Sequence, residues 1–240
     1  MRQYPVAMSE SSRFPRPLQR TRLYEQVAEQ ITAWISENDL KAGDRLPPER
    51  KLALSLGVSR ATLSQALVAL EVVGVVAVRH GDGTVLTDKP KVERITDAIR
   101  AHAERIPDVI EARDALETKI AALAATRRTQ EDLDRIQSAL TAMEDDIQGG
   151  GRGVRGDELF HRAVTDAAHS PLLAQMMTEI SELIRETRIE SLSQPDRPKS
   201  SLAGHQKIAD AIADGDAEAA AAARHGHVML VSDVALLRDA

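Results

Sequence analysis

Between Leu23 and Leu86 the sequence writes three short helices and then a hairpin, with glycine or proline at each change. Leu23, Val27, Ile31 and the Trp34-Ile35 pair recur at the spacing of one helical face. That helix is predicted to begin near Leu18, and Gly43 ends the loop after it. Leu46-Pro47-Pro48-Glu49-Arg50 opens a second helix, because proline suits a helix start, and Gly57 breaks it. Ser59 offers a side-chain oxygen to cap a third helix, predicted to reach about Val73 with Leu63, Ala66, Leu67 and Leu70 inward. After Gly74, residues 75–78 and 84–86 are short β-branched runs. Arg79-His80-Gly81-Asp82-Gly83 between them reads as a hairpin turn. Three helices followed by a hairpin make a winged helix-turn-helix, a module that sets one helix in the major groove of DNA.

The remainder is of another kind. Residues 1–17, with Pro5, Pro15 and Pro17, read as a flexible arm before a winged helix-turn-helix at 18–88, and 89–91 as a linker. Residues 92–240 are predicted all-helical, with helices at about 92–105, 108–126, 129–147, 157–168, 171–192, 201–214 and 216–237. Pro107, Pro171, Pro195, Pro198 and Gly215-Asp216 mark the expected breaks. Hydrophobic residues are 42% of the 240 but aromatics only 2%, so much of the apolar content is alanine, which favours helix. The expected fold is therefore mainly α, with a C-terminal bundle of about seven helices. Gly149-Gly150-Gly151-Arg152-Gly153 follows a helix and lacks a lysine-serine or lysine-threonine ending. It reads as a flexible connection and not as a phosphate loop.

The chain has no cysteine, which excludes disulfides, thiolate metal sites and cysteine nucleophiles. No apolar run approaches the roughly 20 residues that span a bilayer, and no apolar core follows the basic N-terminal residues as a secretory signal requires. A cytoplasmic protein without a membrane partner is expected.

The net charge of −6 opposes DNA binding until it is divided. Residues 1–90 carry 12 basic and 10 acidic side chains, whereas residues 91–240 carry 19 and 27. The acidic part should stay away from DNA, so contact has to come from where the basic residues sit. Arg60, Ala61, Ser64 and Gln65 point away from the Leu63/Leu67 face of the third helix. Arginine can read guanine with two hydrogen bonds, and glutamine can read adenine. Ser59 and Thr62 reach phosphate oxygens, Arg50 and Arg45 supply charge for the backbone, and Arg79 and His80 on the wing can enter the minor groove. Taken singly, Arg50 and Arg60 are ordinary solvated charges; the helical frame around them makes the case.

In the second part, Asp157 and His161 stand four residues apart, on one face of a helix, where both can bind one metal ion. His205 begins a later helix and His227 lies on the last. Three imidazoles and one carboxylate suit zinc first, with nickel, cobalt, iron or manganese as alternatives; a single carboxylate argues against calcium. His102, His169 and His225 lie outside this set. His225 competes with His227, but two residues along a helix turn it to another face.

Residues 22–87 resemble the DNA-binding domain of the GntR family of bacterial regulators, through "LYEQVAEQI", "LKAGDRLPPERKLALSLGVSRATLSQAL" and "GVVAVRHGDGTVL". The resemblance implies DNA contact at Arg50, Arg60, Thr62, His80 and Gly81. Ser64-Gln65 stands where the family commonly has arginine-glutamate, so a base-reading arginine is missing. Residues 92–236 resemble the FCD ligand-binding domain of the FadR subfamily, through "VIEARDALETKIAALAA", "DELFHRAVTDAAHSPLLAQMM" and "GHQKIADAIADGDAEAAAAARHGHV". This implies a divalent metal at Asp157, His161, His205 and His227, with Arg113 beside it holding a small carboxylate. Ser170, where the family often has asparagine, and the glycine-rich insertion depart from the pattern. Arg185 and Arg188 are weaker effector candidates that read as helix-surface ion pairs. The implied protein is a homodimeric repressor that leaves double-stranded operator DNA when a small organic acid binds. The alternatives are a constitutive DNA-binding regulator with a purely structural metal and a metal-dependent hydrolase.

Overall fold

A computed structural model of the chain describes residues 22–79, 83–87 and 95–232. The proposed arm, the 89–91 linker, His80 and Gly81 lie outside the described residues.

Helices α1 (Leu23–Glu37), α2 (Glu49–Leu56) and α3 (Arg60–Val72) precede strands β1 (Val76–Arg79) and β2 (Gly83–Leu86). The strands pair antiparallel, Val76 opposite Leu86. Ser59 caps α3 as its chemistry predicts, its Oγ accepting from the Thr62 N–H at 3.0 Å. Gly57 ends α2 in the left-handed conformation, φ +67°, which glycine adopts without steric penalty. The other edge of β2 is also used: Gly43 N–H donates to Leu86 O and Leu46 N–H to Thr84 O, both at 2.9 Å. This pins Arg45, which bridges to Val85, beside the wing. Ile31, Leu63, Ala66 and Leu70 fill the centre, each large one contributing about 1.5–3 kcal/mol by burial.

Among the described residues seven helices follow: α4 (Ile95–Arg127), α5 (Gln130–Gln148), α6 (Val154–Ala167), α7 (Pro171–Glu179), α8 (Ser181–Leu192), α9 (Arg197–Asp214) and α10 (Ala217–Ser232). Their number is as expected, but their boundaries are not. Pro107 does not break a helix; it lies inside the 33-residue α4. Its ring removes one backbone hydrogen bond, but it is exposed while Ile106, Val109 and Ile110 beside it are buried, and that packing outweighs the local loss. The predicted helix at 171–192 is two helices that meet at Ile180 without glycine or proline. α7 buries none of its residues, whereas α8 buries Ile184, Ile189 and Leu192, so the bend turns an apolar face inward. Pro198 lies in the first turn of α9 and starts that helix. The glycine-rich segment is a fastened turn, not a free connection: Gly151 N–H donates to Asp146 O at 2.8 Å and Gly153 N–H to the Asp146 carboxylate at 2.6 Å. Gly156 lets α6 lie directly on α5, since a Cβ there would meet Met143 backbone at 2.4 Å.

The two parts of the chain are joined by packing. Ile99 of α4 and Ile189 of α8 belong to the same apolar cluster as Ile31, Leu63 and Leu70. Arg100 pairs with Glu25 at 3.1 Å, and Arg152 with Glu71 of α3 at 2.8 Å. A second cluster, built on Ile120, Ile136, Leu140, Phe160, Ile208 and Ile212, holds α4, α5, α6 and α9 together. Among the described residues no single helix is long and apolar enough to cross a membrane.

Candidate functional site

Helices α2 and α3 meet at 109°, within the range of a helix-turn-helix. Arg50, Ser59, Arg60, Ala61 and Ser64 are exposed, Thr62 and Gln65 half-buried, and Leu63 is fully buried behind them. Arg45 and Arg79 are exposed on either side of the wing. The nine described residues singled out for DNA thus lie on the outside of the N-terminal part, while the aliphatic residues between them form its core.

The second site is interior. Asp157 and His161 come from α6, His205 from α9 and His227 from α10; all four are buried. Ligand atoms of the three histidines lie within 4.8 Å of one another. Asp157 closes the group, 3.5 Å from His161 Nε2 through one oxygen and 3.6 Å from His205 Nε2 through the other. Phe160, fully buried, stacks on the His205 ring at 4.2 Å and fixes its plane. Gly204 makes room for His227, because a Cβ there would lie 2.6 Å from its Nδ1.

Electrostatics distinguish this group from the other histidines. Burial, aided by the nearby arginines, holds His161, His205 and His227 well below the ordinary imidazole range, so they are neutral. Burial pushes the Asp157 carboxyl up, against the opposing pull of Arg188 and Arg113. Asp157 Oδ2, His161 Nε2, both nitrogens of His205 and His227 Nδ1 have no hydrogen-bond partner. Unsatisfied buried polar atoms are expensive, and neutral imidazoles with one carboxylate are the donors a divalent transition metal takes. The donor set therefore fits such an ion. By contrast His102 bridges Glu186 and Glu190, His169 meets Asp132 at 2.8 Å, and His225 meets Asp114 at 2.7 Å on the surface.

Arg113 is fully buried one turn from Glu117, donating to it at 3.3 Å and to Thr187 Oγ1 at 3.1 Å. Burial brings it down to about 10, still cationic at neutral pH. It lines a cavity of about 10 Å³ with Asp157, His161, Arg188, Ser201 and His227, room for about one water. Arg185 pairs with Glu158 at the surface, as expected, at 3.4 Å. Arg188 does not lie on the surface: its Nε is 3.2 Å from Asp157 Oδ2 and its Nη2 3.8 Å from Glu117. Sequence reasoning also missed Arg197 and Arg224. Arg224 contacts Glu117 and lies 2.6 Å from His161 Nδ1. Its position three residues before His227, on the same helical face, was an available signal.

Residues 108–229 match the FCD domain, and residues 23–86 match the bacterial regulatory proteins of the gntR family. The chain belongs to the GntR family. The HTH-type transcriptional regulator LutR of Bacillus subtilis (strain 168) is 34% identical over 208 residues, spanning 83% of this chain and 95% of LutR. A regulatory protein named for the L-lactate dehydrogenase operon of Escherichia coli (strain K12) is 33% identical over 224 residues, 88% of this chain and 85% of that one. The Uxu operon transcriptional regulator of the same strain is 33% identical over 218 residues, 86% of this chain and 84% of its own. This GntR-family chain is a DNA-binding transcriptional regulator with an FCD effector-binding domain, and not an enzyme; the hydrolase alternative is set aside.

Proposed function

We propose that this GntR-family regulator is a cytoplasmic, homodimeric repressor that leaves its operator when a small carboxylate metabolite binds in the FCD domain beside a divalent metal ion. The observation that carries the reading is the cluster of three buried imidazoles, each with a nitrogen that has no hydrogen-bond partner, beside a small cavity lined by Asp157, His161, His227 and the cationic Arg113. Asp157, His161, His205 and His227 would hold the ion, zinc first, which would supply a Lewis-acidic centre for the carboxylate. Arg113 would hold the metabolite by charge-assisted hydrogen bonds. The relative named for an L-lactate dehydrogenase operon supports a carboxylate as the signal.

Residues 18–88 form the reading head and 92–240 the sensor, with 89–91 between them. Arg60 and Gln65 read bases. Ser64 and Ala61 lie against the groove, and Ser59, Thr62, Arg50 and Arg45 hold the backbone, with Arg79, His80 and Gly81 in the minor groove. A two-fold dimer matches two half-sites about one helical turn apart. The signal passes through α8, whose Arg188, Ser191 and Leu192 line the cavity and whose Ile189 enters the core beneath α3. A metabolite moves this equilibrium only by binding one helix arrangement better than the other.

Replacing His205 or His227 with alanine is expected to lower zinc content and abolish release from the operator by carboxylates, while basal DNA binding persists. Full metal occupancy and normal release in both variants would sink the four-ligand site. Operator binding that no carboxylate in a broad panel relieves would instead support a constitutive regulator with a structural metal.

A further inference from the structure

The interior of the FCD domain is unevenly charged. Arg113, Arg188, Arg197 and Arg224, one each from α4, α8, α9 and α10, surround the histidine cluster and are at least nearly buried. Among the described residues only Asp157 and Glu117 face them as buried carboxylates. Glu117 contacts Arg113, Arg188 and Arg224 together, and Asp157 is 3.2 Å from Arg188. Glu158 is surface-exposed on Arg185, and Glu186 and Glu190 are engaged with His102. Four guanidinium charges thus face two carboxylates, an excess of two positive charges belonging to the protein alone; a divalent ion would add to it.

Two of these arginines have a nitrogen with neither a hydrogen-bond nor an ion-pair partner, Arg113 Nη2 and Arg197 Nη2, whereas Arg188 Nε is held by Asp157. Arg197 donates its Nε to Ser191, a cavity residue, at 3.0 Å and leaves Nη2 buried without a partner. Buried charge without a counter-charge is strongly unfavourable. A fold retains it where a ligand supplies the missing charge.

Resting on the effector reading above, we propose that the effector is a dianion, an organic acid with two carboxylates or one phosphate, and that Arg197 and Arg188 select it over monocarboxylates. A monocarboxylate such as lactate satisfies Arg113 and leaves one cation unpaired. A dianion satisfies both ends of the charge excess and the unpartnered nitrogens of guanidinium groups that arrive on separate helices. The cavity has room for about one water, so a dianion must displace part of its wall to enter.

The test uses the full-length, zinc-loaded protein and reads melting temperature and calorimetric affinity at constant ionic strength. The probes are succinate, malonate, inorganic phosphate, acetate, L-lactate and neutral succinamide. Succinate, malonate or phosphate is expected to bind at least ten-fold more tightly than acetate or lactate. A carboxylate response with phosphate silent places the two charges on separate groups; the reverse places them on one. Arg197→Gln is expected to reduce the dianion preference about ten-fold, to keep the weak acetate response, and to leave the melting temperature of the ligand-free protein equal or higher, because an unpaired buried cation is gone. Arg197→Lys should restore part of the preference. Equal binding of mono- and dianions overturns this inference and leaves the effector reading standing. No response to any anion overturns both. A ligand-free Arg197→Gln protein that melts lower, with its anion preference intact, assigns Arg197 to the framework and also overturns the proposal.

Discussion

A single absent side chain at Gly204 decides whether the four proposed ligands can meet. Its Cα faces the His227 ring so closely that a methyl group would sit 2.6 Å from Nδ1. Gly204→Ala is therefore expected to lower zinc affinity by about 10- to 100-fold, as for other residues that orient ligands, measured by competition with a chelating dye. Arg60→Ala is expected to weaken specific operator binding by about 1–3 kcal/mol, read by gel shift; unchanged affinity would remove Arg60 from base reading. His102 is shifted in the opposite sense to His161, His205 and His227. Burial pulls its imidazole down, but the hydrogen bonds and charges of Glu186 and Glu190, at 3.1 and 2.9 Å, outweigh this and raise it. A raised folded-state value means that this contribution to stability is fully present below the ordinary histidine range and is lost as pH rises through the folded one. Unfolding followed from pH 6 to 9, a range set by the ordinary value of about 6.5, should show that decline, and His102→Gln should flatten it. The proposed ligand residues Asp157, His161, His205 and His227 were legible chiefly through the FCD resemblance; helical spacing alone linked only Asp157 and His161. Arg188 and Arg197 were not: nothing in their local sequence distinguishes an interior arginine from a solvated one until neighbouring helices are in place.

The helices of the reading head were legible because glycine, proline and a serine cap act locally, within one turn. The elements of the bundle were less so, because tertiary packing decides them. Proline predicted a stop at 107, and α4 continues through it. No residue predicted the bend at Ile180, which exists to seat α8. Pro107 thus sits in an exposed helix interior at a local penalty. Pro107→Ala should stabilise the protein by about 1–2 kcal/mol, the gain from restoring a helical hydrogen bond less the larger entropy of the unfolded chain. Thermal unfolding measures it; a lower melting temperature would show that the proline shapes a bend the bundle needs.

At the scale of the molecule, α6, α9 and α10 converge at the proposed metal ligands and the apolar cluster beside them. An ion that binds only the folded chain adds stability by mass action, about 2.7 kcal/mol at a free concentration a hundred times its Kd. For a chain of this size that is roughly 5–10 °C in Tm. Chelation should lower Tm by that amount and added zinc should restore it; a chelated protein with unchanged Tm would count against a resident ion. The charge division also acts at this scale. The −8 balance after residue 90 favours an orientation that turns the FCD domains outward from the duplex.

Helix α8 is shared property: one side walls the cavity, the other holds Ile189 in the core of the reading head. Such a chain does not come apart at its linker into two interchangeable modules. A graft of another family member's reading head onto this sensor must carry a surface shaped for Ile189 and Ile99, and an acid in the place of Glu71 for Arg152. Hybrids joined by matching only the linker should fold yet stay deaf to their effector, and restoring those seats should return their hearing.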